Sequence, residues 1–105
     1  MTITWKDWVN AWVTSSASND PMLLEPMLAE NFQWPTSDMD REETLEWVKT
    51  TDFRASNVTE TFYESDDLIV GTHEVMGEGH NNVVMGCAHI KDGKVVVYQH
   101  LRKPS

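Results

Sequence analysis

The sequence predicts an α+β fold, with about three helices in the first half followed by a mostly antiparallel sheet. Three observations predict it. Apolar residues recur every three or four positions up to about residue 50, and strand-like alternation takes over from Phe53 onward. The two periods are segregated along the chain, which argues against the alternating order of a parallel α/β sheet. Asp92-Gly93 lies between two strand-like runs and is the strongest short hairpin signal present.

Trp5, Trp8, Val9, Trp12 and Val13 share one face of a first helix, from about Trp5 to Ser16. Thr4 can cap it, with Asp7 three residues on in a capping-box position. Ser15 to Asn19 stops it. Asp20-Pro21 reads as the start of a second helix with Met22, Leu23, Met27 and Leu28 on its buried side, although Pro26 splits that piece into two short turns. Asn31-Phe32-Gln33-Trp34 alternates and ends at Pro35, a short strand. Asp40 and Glu43 open a third helix carrying Leu45, Trp47 and Val48, and its acids suit the helix dipole. Four strands follow: Asn57–Glu64, Leu68–Met76, Asn82–Lys91 and Lys94–Lys103, with turns at 65–67, 77–81 and 92–93.

The 105 residues amount to one domain, 1–105, without linker, repeat or low-complexity stretch. Eight Lys+Arg against 17 Asp+Glu give a net charge of −9, which repels a phosphate backbone and disfavours nucleic-acid binding. Residues 1–67 hold four basic and 14 acidic residues (−10), and residues 68–105 four and three (+1). Apolar runs are too short to span a bilayer, and Met1 to Asp7 shows no signal-peptide pattern, so the expected location is cytoplasmic. The sequon Asn57-Val58-Thr59 then carries no glycan. A single cysteine, Cys87, excludes an internal disulfide and a cysteine zinc cluster, and it reads as a small hydrophobe. Turn glycines Gly77 and Gly79 precede no helix and form no phosphate loop.

The order of elements resembles the SnoaL-like branch of the nuclear transport factor two-like superfamily, which also contains ketosteroid isomerase. The resemblance rests on Asn19-Asp20-Pro21 after the first helix, on Leu28-Ala29-Glu30-Asn31-Phe32-Gln33-Trp34-Pro35, and on Lys91-Asp92-Gly93-Lys94-Val95 before the last strand. It implies a cone, a curved cystatin-like sheet wrapped around helices with an open pocket, and commonly a homodimer through the outer sheet face. Its activities range over isomerases, polyketide cyclases, hydrolases, dehydratases and proteins without known chemistry, so it implies fold more strongly than function.

With the sheet arranged as in that family, alternation points Val96, Tyr98, His100 and Arg102 inward on the last strand. Val84, Gly86, Ala88 and Ile90 then face inward on the strand before it. Val83, Met85, Cys87 and His89 point outward, and the first three form an apolar set that supports the dimer. His100 is the candidate general base or acid, with Tyr98 and Arg102 orienting an oxygen beside it. Trp8, Trp12, Trp34 and Trp47, together with His73, Val84 and Ala88, are candidate ligand-binding residues for a small organic or apolar ligand. His73 can lie on either face. His80 falls in a solvated turn, and the spacing of His73, His89 and His100 argues against a metal site. No cofactor is called for.

The isomerases of the superfamily use an Asp base in an Asp-Pro pair, where this chain has Trp34-Pro35. Helix one carries Trp8 and Trp12 where an oxyanion tyrosine would stand, and the assisting acid is replaced near Gly86. Asp38 and Asp40 read as helix caps. Three readings stay open: cofactor-free proton transfer, ligand binding without chemistry, and a structural dimer whose cone is plugged by Trp and Met side chains.

Overall fold

The computed structural model describes residues 3–77 and 79–104, with Pro104 as backbone only. Glu78, in the turn expected at 77–81, lies outside the described residues, as do Met1 and Thr2. The element order is α1 (Trp5–Ser18), β1 (Leu28–Trp34), β2 (Met39–Asp40), α2 (Arg41–Thr50), β3 (Arg54–Glu64), β4 (Leu68–Gly77), β5 (His80–Lys91) and β6 (Lys94–Pro104). The strands form one open sheet in the order β2-β1-β6-β5-β4-β3. All pairs are antiparallel except β1 with β6, where Leu28 stands opposite Val95 and Gln33 opposite Val97. The α+β class and the curved, mostly antiparallel sheet hold. The helix count changes: two α-helices are present among the described residues, with short 3-10 turns at Glu25–Met27 and Pro35–Ser37.

Both α-helices begin with the capping box expected of them. The Thr4 hydroxyl accepts from the Asp7 amide at 3.0 Å, and the Asp7 carboxylate accepts from the Thr4 amide at 3.1 Å. Asp40 and Glu43 repeat the arrangement at 2.9 and 3.1 Å. The helix predicted from Asp20-Pro21 does not form. Asp20 caps the turn that starts there, its Oδ1 accepting from the Met22 amide at 3.0 Å, but Pro26 stops that turn from extending and a 3-10 turn follows at Glu25–Met27, the two short turns expected of this piece. Met22 (67% exposed) and Leu23 (50%) face outward, Pro21, Leu24 and Leu28 are buried, and Met27 packs partly buried against the core.

α1 lies against β3 and β4, and α2 against β1. Trp5, Trp8, Val9, Leu24, Phe32, Val48, Ile69 and Val95 make the centre of the core. A buried indole removes about 200 Å² from water, roughly 5 kcal/mol at 25 cal/mol per Å² before ordering costs. Trp5 fits because Gly71 and Gly86, directly paired across β4 and β5, present no side chains beneath it. Bulges bend the sheet. The β3–β4 ladder shifts register three times, and the β5–β6 ladder shifts once between His89 and Ile90. That shift inserts Val96, so Val95 takes the buried position expected of Val96. Beyond it the alternation is as predicted. At the β5–β6 hairpin, Asp92 (φ 53°) and Gly93 (φ 78°) both take left-handed backbone, as a type I′ turn requires. No helix among the described residues is long and apolar enough to cross a membrane.

Candidate functional site

The concave face of the sheet and the inner faces of both helices line a half-open cavity of about 660 Å³. Trp12 reaches it from α1, Trp34 from β1, Thr36 from the following turn, and Trp47 from α2. His73 and Val75 line it from β4, Val84 from β5, and Tyr98, His100 and Arg102 from β6. Eight of the ten candidate residues therefore share one wall. Trp8 and Ala88 do not. Both are wholly buried behind that wall and belong to the core. Trp8 sits one helical turn deeper than Trp12, edge-on to Tyr98 at 5.2 Å between ring centres. Ala88 is opposite Tyr98 in the β5–β6 ladder.

The aromatic wall is self-packed. Ring centres lie 5.2 Å apart for Trp12 and Trp34, 5.5 Å for Trp34 and Trp47, and 5.7 Å for Trp34 and Tyr98. These are direct tilted and edge contacts. At the rim, the Arg102 guanidinium lies over the Phe53 ring at 4.9 Å.

His100 is the most constrained polar group here. The Trp34 indole Nε1–H donates to its Nδ1 at 2.8 Å. The Thr36 hydroxyl lies 2.9 Å from the same nitrogen and accepts the His100 amide at 3.1 Å. An indole N–H can only donate, so Nδ1 must hold a lone pair and the neutral ring must carry its proton on Nε2. Protonating Nδ1 would set N–H against N–H. Burial, the Arg102 charge and then His73 also hold this imidazole below its ordinary pKa. His100 is thus a neutral ring whose remaining N–H is at Nε2.

His73 lies on the inner face, which settles its orientation, and it is almost wholly buried. Its Nδ1 is 2.9 Å from the Glu74 carbonyl. A carbonyl can only accept, so this nitrogen carries the proton and Nε2 keeps the lone pair. Burial lowers its pKa, with the Glu74 bond partly offsetting that. Tyr98 is pushed well above the ordinary phenol value by burial, despite the neighbouring Trp8 indole, and stays protonated.

No carboxylate lines the cavity among the described residues. Asp40 caps α2, and Asp38 closes the 3-10 turn after Trp34 in left-handed backbone. No His, Cys, Asp and Glu cluster among the described residues could hold a metal. Thr36 and Phe53 are site residues that the pattern of the sequence did not single out. The signal for Thr36 was Trp34-Pro35, a bend that returns the chain toward the strand end.

No family model matches the chain, and no curated protein matches it. Solved structures do. An NTF2-like protein of unknown function from Cytophaga hutchinsonii superposes with a TM-score of 0.76 at 17% identity, covering 98% of this chain and 93% of that one. IdmH from Streptomyces antibioticus, provisionally assigned as a polyketide cyclase, gives 0.69 at 16%, covering 92% and 90%. A hypothetical protein with a ketosteroid isomerase-like fold from Catenulispora acidiphila, in complex with trimethylamine, gives 0.65 at 15%, covering 93% and 85%. The chain has the nuclear transport factor two-like fold. Within it, the chain resembles the ketosteroid isomerase-like and polyketide cyclase-like structures over almost its full length.

Proposed function

We propose that the protein binds a small organic molecule against the aromatic wall and carries out cofactor-free proton transfer on it, of isomerase, dehydratase or cyclase type. The observation that carries this reading is the 2.8 Å bond from Trp34 to His100 Nδ1. A half-buried imidazole is held neutral, with one donor tautomer, on the wall of an apolar cavity. Preorganised donors of this kind stabilise charge developing on a ligand oxygen. Tyr98, protonated and adjacent, and Arg102 at the rim extend the donor side toward a neutral or anionic ligand.

The test begins with native mass spectrometry of the purified protein, to detect a retained small molecule. His100→Ala is then expected to abolish turnover of the compound so identified. Full activity in that variant removes His100 from the mechanism. A second reading, binding without chemistry, is favoured by the lack of a carboxylate on the described cavity wall. It predicts a ligand recovered chemically unchanged and weakened binding in Trp34→Ala.

The same proposal includes a homodimer through the outer face of the sheet. There the row Thr72–Met85–Leu101 leaves Met85 46% and Leu101 72% exposed, beside partly exposed Val70, Val83 and Cys87. Sedimentation distinguishes a dimer from a 12.0 kDa monomer, and Leu101→Lys is expected to shift the dimer toward monomer.

A further inference from the structure

We infer that His100 is a proton-operated clasp: neutral, it fastens the end of β1 to β6 through Trp34, and charged, it releases that indole and loosens one wall of the cavity. The clasp stands without the proposed function, and only its effect on a ligand rests on that reading. Along the seam, Leu28 is aligned with Val95 and Gln33 with Val97, with a register shift between them. Past Gln33 the chain turns away at Trp34-Pro35 into the 3-10 turn Pro35–Ser37. Three bonds from this stretch converge on His100. Its Nδ1 meets the Trp34 indole N–H at 2.8 Å and the Thr36 hydroxyl at 2.9 Å, and its amide donates to the Thr36 oxygen at 3.1 Å.

Trp34 and Thr36 answer a proton differently. Neutral His100 already carries hydrogen on Nε2, so a further proton enters at Nδ1. A hydroxyl can donate or accept, so Thr36 turns its hydrogen away and accepts the new N–H. An indole can only donate, so Trp34 is left facing another donor. Turning the imidazole over does not help, because it puts a C–H where the acceptor was. Trp34 is only 6% exposed, so its freed N–H reaches no water without a shift of the ring. A buried donor without a partner is costly, and the indole must move. Its ring contacts with Trp12, Trp47 and Tyr98 carry that movement into the aromatic wall.

The groups around the ring make the closed clasp the state at neutral pH. Arg102 on the same strand and His73 on β4 both oppose a charge on His100. Tyr98, stacked on it at 6.0 Å between ring centres, is protonated and neutral. The cavity residues contributed by α1, α2, β1, β2, β3 and β5 carry no ionisable group, and no carboxylate lines the cavity among the described residues. Acid therefore opens the clasp. A ligand laid against Trp34 in its closed position favours neutral His100. By linkage, its binding expels a proton from the charged ring and weakens as pH falls.

Proton–nitrogen NMR spectra of the ¹⁵N-labelled full chain, recorded from pH 7.5 to 4.5, test this without a ligand. Trp34→Phe assigns the Trp34 indole peak, and the ring C–H of His100, assigned with His100→Asn, reports its charge. The Trp34 peak should move with the His100 midpoint, while the Trp5 indole, which donates to the Thr72 carbonyl, stays in place. His100→Asn keeps an uncharged acceptor near the Nδ1 position and should abolish the movement. A Trp34 peak that ignores the His100 midpoint, or unfolding before His100 takes its proton, overturns the clasp. The reciprocal test uses two substitutions. Trp34→Phe removes the opposing donor and should raise the proton affinity of His100 about tenfold, one pH unit. Thr36→Val removes an acceptor of the charged ring and should lower it. A rise in both variants means that wetting of the corner governs the ring, and overturns the clasp. Native mass spectrometry that finds no retained molecule counts against the proposed function and leaves the clasp as it is.

Discussion

Gly86→Ala tests the packing that holds the cavity floor. A Cβ at this position would lie 2.6 Å from Trp5 Cη2, 2.6 Å from Tyr98 Oη and 2.8 Å from Tyr98 Cε1. Neither ring is free to yield. The Trp5 indole is wholly buried and donates to the Thr72 carbonyl at 3.1 Å, and Tyr98 is packed by Trp8, Trp12 and Trp34. Both must retreat by roughly 0.5–1 Å, an overpacking that costs about 1–3 kcal/mol. The lower chain entropy of alanine in the unfolded state returns about 0.5 kcal/mol. A net loss of roughly 1–2.5 kcal/mol is expected, which in a chain this size lowers Tm by about 5–15 °C. Urea titration followed by circular dichroism measures it. Adding Tyr98→Phe removes one of the three close contacts, so the double variant should lose less than the sum of the singles. A Gly86→Ala protein as stable as wild type, or strict additivity with Tyr98→Phe, would refute the argument.

Other expectations follow from the caps and the buried imidazoles. Asn19 sits in left-handed backbone (φ 54°) and bonds the Val48 and Thr51 carbonyls, both at 2.9 Å, and Arg54 at 3.0 Å. Asn19→Gly keeps that conformation and deletes the three bonds, so a loss of roughly 2 kcal/mol is expected in denaturant titration. Asp40→Ala removes the α2 cap and should cost about 1 kcal/mol by the same measurement. Burial places the folded pKa values of His73 and His100 below the ordinary 6.5. Below about 6.5 the unfolded chain therefore binds more protons than the folded one. The stabilisation is complete above that pH and is lost as pH falls through the folded values. Urea midpoints should drop between pH 7.5 and 5, and by less in His73→Gln.

Local chemistry made much of this fold legible. Thr4 with Asp7, Asp40 with Glu43, and Asp92-Gly93 each name their structure within four residues, and each stands where expected. Tyr98, His100 and Arg102 were readable as one face because alternation survives to the end of β6. The misreadings came from competition between local and distant terms. Asp20-Pro21 is a fair helix start and Asp20 does cap the first turn through the Met22 amide, but Pro26 gives no room for a longer helix. Val96 fell out of phase because a bulge leaves no mark in an all-valine run. Trp8 and Trp12 share a helical stripe, and only depth against the sheet separates the core residue from the wall residue. The tautomers of His73 and His100 depend on an indole 66 positions away and on an adjacent carbonyl, neither of which a residue pattern encodes.

The parallel seam between β1 and β6 has a consequence for how the chain folds. β3 to β6 form a run of sequential hairpins, each closing a short loop. The β1–β6 pairing joins the two halves of the chain, through few aligned residues, and the Trp34–His100 bond lies beside it. High sequence separation makes such a seam slow to form and early to open. The Trp34–His100 corner of the cavity is therefore expected to assemble late in folding. A ligand touching both Trp34 and His100 would act as a staple across that seam. It would slow unfolding more than it speeds folding, because the contacts it reinforces are absent from the transition state.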